Sequence, residues 1–453
     1  MKNLTLKKAI YGVTTSGLPA AFVFHIEFLN SKNSKYHLIP TFVRGLEFNQ
    51  NPLTDYCDEI ILHLYLSGNE YALMYENMQD LYCVMLISYT NVTGVKNAKL
   101  QPVKKKYRAA LVNPQDLRKV RTDIQHYKEV DMVVEIKLIE ETVYEARSVQ
   151  LNGIYTRTTL TDAIHHLALG FGFKNVTMEK ASNIHIYDHI VIPPMKNLCD
   201  CFPYLQEEYG VYEKGLAYFV THDDLFIYAP FNLTPKTDTH VNIYQAQPNY
   251  TLASDCTMKL QKNLIEIVTK DVEFGIDHSV YGAENEGTSY TFLRSSEVQD
   301  GVITYHPQRP IEFKKDVTLT IGLAEPRSLT KKVTRPKYAT TTDNVFALAS
   351  MVYEHQSTHV KVSVAHSLPF ALRPGLLVNY YWDDSGKLKK KTGIIESISS
   401  IFQPSQMGAQ NTTHDIYVFR AESYLTLRLL PYDIEVKSIE TTNKTPTTPS
   451  QGA

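Results

Sequence analysis

A single tryptophan, Trp382, and only five cysteines occur in a chain of 453 residues. The cysteines, Cys57, Cys83, Cys199, Cys201 and Cys256, are odd in number and irregular in spacing. No disulfide framework or zinc pattern follows from them, and a reducing compartment fits best. Charge of one sign is also missing: 46 Lys and Arg stand against 48 Asp and Glu, a net charge of −2. That balance argues against a dedicated nucleic-acid binder and against an acidic disordered chain. No window approaches the roughly 18 apolar residues of a membrane-spanning helix. Near the N-terminus Lys7 and Lys8 precede an Ala-rich stretch, but Thr14, Thr15, Ser16 and Gly17 interrupt it. A secretory core needs roughly 7–15 continuous apolar residues, so no signal peptide is expected.

Tyrosine is abundant, with 30 in the chain. Its apolar ring and polar tip suit strands and half-buried contact surfaces. The size suits about three domains. Short β-branched and aromatic runs dominate: Ala21–Phe28, Glu59–Leu66, Leu81–Tyr89 and Met132–Leu138. Such runs, closely spaced with Gly, Asn and Ser between them, are the pattern of barrels and sandwiches. Further strands fall at Gly215–Val220 and Leu225–Tyr228, a hairpin, and then at Val360–Val364, Leu376–Trp382, Lys391–Ile398, Ile416–Arg420 and Leu425–Leu430. Residues 240–330 give strands without a clear signal.

Two helices stand out. In Thr159–Leu169 the residues Leu160, Ile164, Leu167 and Ala168 share a face, Thr159 can cap the start, and Gly170 can end it. From about Asn197 to Tyr209, Leu198, Phe202, Leu205 and Tyr209 share a face, and Pro203 predicts a kink or a late start. The expected fold is therefore mainly β (α+β). A first β domain spans 1–105, an α+β region 106–330, a last β unit 331–436, and a Thr/Pro-rich tail 437–453.

Catalytic and metal chemistry find little support. His355 and His359 are four apart, but Gln356 stands where a zinc protease needs its glutamate. His165 and His166 point to different sides of a helix. His185, Asp188 and His189 lie near Cys199 and Cys201, whose Cys-x-Cys spacing does not suit structural zinc. There is no Gly-x-Ser-x-Gly elbow and no phosphate-binding glycine loop. The carboxylate pairs Glu207 and Glu208, and Asp223 and Asp224, are ordinary surface features. We assign no catalytic, cofactor-binding or metal-binding residue and no enzymatic activity. A basic stretch, Lys96, Lys99, Lys104–Lys106, Arg108, Arg118, Lys119 and Arg121, reads as a solvated linker or loop face, with an electrostatic contact to a partner or to DNA as the alternative. The sequence assigns no role to the second run, Lys387–Lys391.

Three passages, in order, resemble the baseplate hub family of contractile-tailed phages: the T-even hub, tail-protein D and the N-terminal part of VgrG. One is Leu151-Asn152-Gly153-Ile154-Tyr155 followed by the Thr159–Leu169 helix. The next runs from Ile192-Pro193-Pro194-Met195 through Leu205–Gly215 to Tyr218-Phe219. The last is Leu372-Arg373-Pro374-Gly375 and the strand after it, then Gly393–Ile398 and Tyr417–Leu429. The resemblance implies a structural virion protein with two tube-like barrels per chain. It would be a homotrimeric adaptor between the sixfold tail tube and the threefold spike, and DNA would pass its lumen without specific binding. The implied partners are further copies of the chain, the tail tube protein, the central spike protein and the baseplate wedge proteins. The implied location is the phage tail baseplate, after assembly in the host cytoplasm. The interface residues expected on this reading are Tyr209, Tyr212, Tyr218, Tyr380 and Tyr381. The alternatives from other classes are a tail-tip or receptor- or carbohydrate-binding virion module and, further off, a tail-associated hydrolase.

Overall fold

The computed structural model describes residues 5–16, 21–40, 42–52, 57–90, 102–114, 131–212, 215–221, 224–230, 240–247, 257–261, 263–275, 289–293, 300–304, 321–323, 330–331, 358–404, 418–430 and 434–436. The chain opens with helix α1 (Leu6–Ser16) and strands β1 (Ala21–Asn30), β2 (His37–Leu38), β3 (Phe42–Gln50) and β4 (Asp58–Ser67). Helix α2 (Gly68–Glu76), β5 (Leu81–Thr90), β6 (Val103–Leu111) and β7 (Asp131–Glu140) follow. The middle of the chain holds α3 (Glu141–Ser148), β8 (Gln150–Thr158), α4 (Leu160–Gly170), β9 (Asn175–Met178), β10 (Tyr187–Asn197), α5 (Leu198–Glu208), β11 (Ala217–Thr221) and β12 (Asp224–Tyr228). Then come β13 (His240–Gln245), β14 (Met258–Leu260), β15 (Leu264–Thr269) and β16 (Val272–Gly275). A separate sheet is made by β17 (Ser289–Leu293), β18 (Asp300–Thr304), β19 (Ile321–Leu323) and β20 (Thr330–Lys331). Last are β21 (Thr358–Val364), β22 (Leu377–Asp384), β23 (Lys387–Pro404), β24 (Phe419–Leu429) and β25 (Ile434–Glu435).

Pairing closes one ring of strands, and the chain running from β15 into β16 completes a second. In the first, β23, β3, β4, β7, β6, β5, β1 and β24 are neighbours in turn, and β24 pairs back with β23. Period-2 burial makes this possible. Along β4, Asp58, Ile60, Leu62, Leu64 and Leu66 face inward while Glu59, Ile61, His63, Tyr65 and Ser67 face outward. The second ring runs β13, β22, β23, β24, β21 and β16. It closes because β16 continues from β15, which lies parallel to β13. Both rings therefore share the hairpin β23–β24. The 18-residue β23 pairs with β22 along Lys387–Ile394 and with β3 along Ile398–Phe402. A bulge between Ile395 and Ser397 separates the two stretches, the kind of kink that lets one strand serve two curved sheets. At Gly393 a side chain would collide with the Arg428 carbonyl and come within 2.7 Å of Leu429 Cα, so glycine permits the close crossing.

One continuous apolar core fills both rings, from Phe28, Leu62 and Tyr107 to Val241, Val362 and Val378. The ends are plugged locally. Helix α2 starts with a capping box between Ser67 and Glu70, and it sends Tyr71 and Met74 into the core. The outer face of the second ring is covered by α1, whose Ala9, Ile10 and Val13 pack on Tyr244, Val268 and Tyr381.

The middle region has its own core, built on α3, α4, α5 and the strands β8–β12. The helix pattern read from the sequence corresponds to α4 and α5. Thr159 accepts a hydrogen bond from the Asp162 amide at 3.2 Å, and Asn197 accepts one from the Asp200 amide at 2.9 Å. Helix α5 starts at Leu198 and runs through Pro203, so the late start predicted from that proline does not occur.

The barrel boundaries differ from those expected. Position 105 falls inside β6; β6 and β7 complete the first ring, and β13–β16 belong to the second. The reason is topological. Closing each ring requires β23 and β24 from the end of the chain, so neither barrel is a continuous stretch of sequence. The Thr/Pro-rich tail lies outside the described residues.

Candidate functional site at the barrel junction

A cluster of buried polar groups lies where the middle region meets the two barrels. At that end of the first barrel, Asp58 and Lys105 point inward from β4 and β6. Their side chains are 1% and 5% exposed, and Lys105 Nζ donates to Asp58 Oδ2 at 2.7 Å. Gln50 Nε2 donates to Asp58 Oδ1 at 2.7 Å, and Thr221 Oγ1 of β11 donates to Oδ2 at 3.1 Å. Both carboxylate oxygens are thus engaged, as a buried charge requires. The Lys105 ammonium lies 5.9 Å and 5.8 Å from the ring centroids of Tyr107 and Phe370. A cavity of about 200 Å³ opens beside the pair, walled by Phe48, Phe370, Leu372, Arg373 and Leu376. Among the described residues, Gln50 Oε1 and the Tyr107 hydroxyl are buried without a hydrogen-bond partner. Burial, then the charges of Asp58 and Glu140, hold the Tyr107 phenol well above its ordinary range.

The middle region docks onto this end through an isolated bridge between Cys57 and Val220. It docks onto the second barrel through Tyr228. Gly375 has φ +81°, and a Cβ there would lie 2.7 Å from the Tyr228 ring, so only glycine suits both the backbone and the contact. Arg373 lies over the Phe226 ring at 4.2 Å, and burial lowers its pKa.

On the adjoining face of the second barrel, Glu396 forms an ion pair with Arg428, and His359 Nδ1 lies 3.1 Å from its other oxygen. Burial alone would raise the Glu396 carboxyl. The hydrogen bond to His359 and the Arg428 charge outweigh it, so the carboxyl is held below its ordinary value. Glu396 stands at the bulge of β23, and Arg428 and His359 are cross-strand partners on β24 and β21.

The five tyrosines named from the sequence are all buried within the chain. Tyr209 accepts the Val191 amide at 2.9 Å, Tyr212 donates to the Glu179 carbonyl at 2.6 Å, and Tyr380 donates to Gln245 Oε1 at 2.6 Å. Tyr218 donates to the Cys199 carbonyl at 2.7 Å. That carbonyl is the one an amide at position 203 would have bonded, and Pro203 has none. Tyr381 packs against Tyr244 under α1. These side chains hold together elements of one chain, and the structure brings none of them to the Asp58–Lys105 cavity.

The basic run at Lys104–Lys106 is not one solvated face. Lys105 is interior, whereas Lys106 lies 4.0 Å over the Tyr82 ring and pairs with Glu141 at 3.3 Å. Strand alternation from Lys105 to the buried Tyr107 and Ala109 is the signal that marks the middle lysine. In the second run, Lys389 pairs with Asp384 at 2.5 Å and Lys387 with Glu435 at 3.7 Å. Cys57, Cys83, Cys199 and Cys201 are buried thiols. His359 lies on β21, while His355, Cys256 and Asp223 fall outside the described residues. Among the described residues no group of His, Cys, Asp and Glu is placed to hold a metal ion, and no helix is long and apolar enough to cross a membrane.

The fold defines a class: two β-barrels fused through a common hairpin, with an α+β region docked at the junction. A family model described as Bacteriophage PBS1 gene 109 protein matches residues 87–270, from β5 through β15. No curated protein matches the sequence. The chain is similar to a tail protein from Neisseria meningitidis MC58, with 12% identity over 90% of this chain and 96% of that one and a TM-score of 0.45. It is also similar to the prophage MuSo2 43 kDa tail protein from Shewanella oneidensis, with 10% identity, 89% and 98% coverage and a TM-score of 0.46. A third is the E. coli c3393 protein, a type VI secretion system component described as similar to phage tail proteins, with 11% identity, 87% and 74% coverage and a TM-score of 0.41.

Proposed function

We propose that the chain is a structural protein of a phage tail baseplate, the hub that joins the tail tube to the central spike. It works by shape, without catalysis. Three copies form a ring, and each contributes two barrels, so a threefold assembly presents six similar modules to a sixfold tube. DNA passes the lumen without specific binding. The partners on this reading are two further copies of the chain, the tail tube protein, the spike and the wedge proteins. The protein is assembled in the host cytoplasm and resides in the virion.

The observation that carries this reading is the shared hairpin. It fixes two barrels rigidly within one chain, as a symmetry adaptor needs. The match of residues 87–270 to a phage gene family supports it. The five buried tyrosines act here by setting the shape of the faces that copies present to one another.

Light scattering on the purified chain tests the proposal. The expected mass is three times 51.6 kDa, and negative-stain images should show a threefold annulus. A dimer would overturn the proposal, because twofold symmetry cannot build that ring.

A further inference from the structure

We propose that Lys105 and Asp58 condense into an intramolecular isopeptide bond that locks β4 to β6 across β7. The Nζ–Oδ2 hydrogen bond of 2.7 Å has nothing between the two groups. It sets Nζ within about 4 Å of Asp58 Cγ, at the edge of the roughly 3–3.5 Å near-attack separation. Strands on both sides hold the two residues in this relation, so no encounter has to be arranged.

The surroundings match what acyl transfer to an amine requires. Attack needs a free amine and a protonated acid, and one proton passing from Nζ to Oδ2 along the existing hydrogen bond produces both. Aromatic rings flank the pair, and its side chains are almost wholly buried. As the Nζ lone pair attacks Cγ, negative charge develops on Oδ1, where the Gln50 amide already donates at 2.7 Å. Thr221 donates to Oδ2, the oxygen that leaves. Glu140 supplies a further buried acid in the same layer. It pairs with Tyr107 on β6 and follows Ile139, the partner of Glu59 on β4.

The chemistry balances without an oxidant or reductant. The Nζ–Cγ bond forms and the Cγ–Oδ2 bond breaks. Of the three protons on the starting ammonium, one stays on the amide and two depart with Oδ2 as water. The bond covalently staples the end of the first barrel where the middle region docks.

Intact mass spectrometry of the full folded chain is the test, with Lys105→Arg and Asp58→Asn alongside. After allowance for N-terminal processing, the wild type should be lighter than its sequence by one water. Its digest should contain a branched peptide joining Asp58 to Lys105. Lys105→Arg should keep its full mass, and Asp58→Asn should lose ammonia in place of water. A wild-type mass equal to that of the sequence overturns the proposal, as does a water loss mapped to any other residue. The trimer measurement does not bear on this result, so the two proposals stand or fall separately.

Discussion

Replacing Tyr218 with phenylalanine removes one hydroxyl and leaves the buried Cys199 carbonyl inside α5 without its 2.7 Å donor. The expected cost is about 1–3 kcal/mol in chemical denaturation. Pro203→Ala restores an amide at the position that ordinarily bonds this carbonyl, so Tyr218→Phe should cost markedly less in that background. Equal costs in both backgrounds would show that the proline and the hydroxyl are unrelated. At Gly375 the positive φ and the Tyr228 ring act together, and Gly375→Ala should destabilise by at least about 1 kcal/mol. Glu396 makes stability depend on pH. Its folded pKa lies below its unfolded value, so its contribution is complete above the unfolded pKa of about 4.3 and disappears as pH falls through the lower folded value. Denaturation curves measured through that acid window should fall more steeply for the wild type than for Glu396→Gln. Individual side chains of this kind were poorly legible in the sequence. Asp58 and Lys105 are 47 positions apart, and only the strand alternation around Tyr107 hints that one lysine of a basic run turns inward.

Among the elements, those with strong local patterns were readable. Strands β1, β4 and β5 and helices α4 and α5 announce themselves by period or by cap. Helix α1 does not, because its apolar run is broken by Gly12, Thr14 and Thr15, and of these Thr14 stands on the buried face itself. It is held by packing on the second barrel, where Ile10 and Val13 are buried. Ile10→Ala should therefore cost about 2–4 kcal/mol, read as a lowered denaturation midpoint, although α1 lies outside both rings. The ribbon β8–β10 shows the opposite case. Its register shifts between Ile192 and Lys196, where Pro193 and Pro194 have no amide to offer, and the Pro-Pro pair is visible in the sequence. Strands β13 and β15 were hard to assign because both faces are covered, so the alternation that marks a half-exposed strand is absent.

Across the whole molecule, the shared hairpin makes the barrels one cooperative unit. Gly393→Val places a side chain against the Arg428 carbonyl at the crossing of β23 and β24. Hydrogen exchange should then quicken together in β3 and β4 of one ring and in β21 and β22 of the other. Loss of protection confined to the second ring would mean that the barrels open independently. Ring closure was not legible in the sequence, since it pairs residues from opposite ends of the chain, as at Phe22 and Phe419.

The same feature governs the order in which the protein can be made. Strand β3 is complete at residue 50, yet the partner for one of its edges is not finished until residue 404, and β1 waits for residue 419. A ribosome therefore extrudes most of the chain with both seams open. Unpaired edges of that kind recruit other strands, so the growing polypeptide must be shielded or kept dilute through nearly all of its translation. Nascent chains truncated before β23 should aggregate, and the codons for β23 and β24 turn an open sheet into a sealed one.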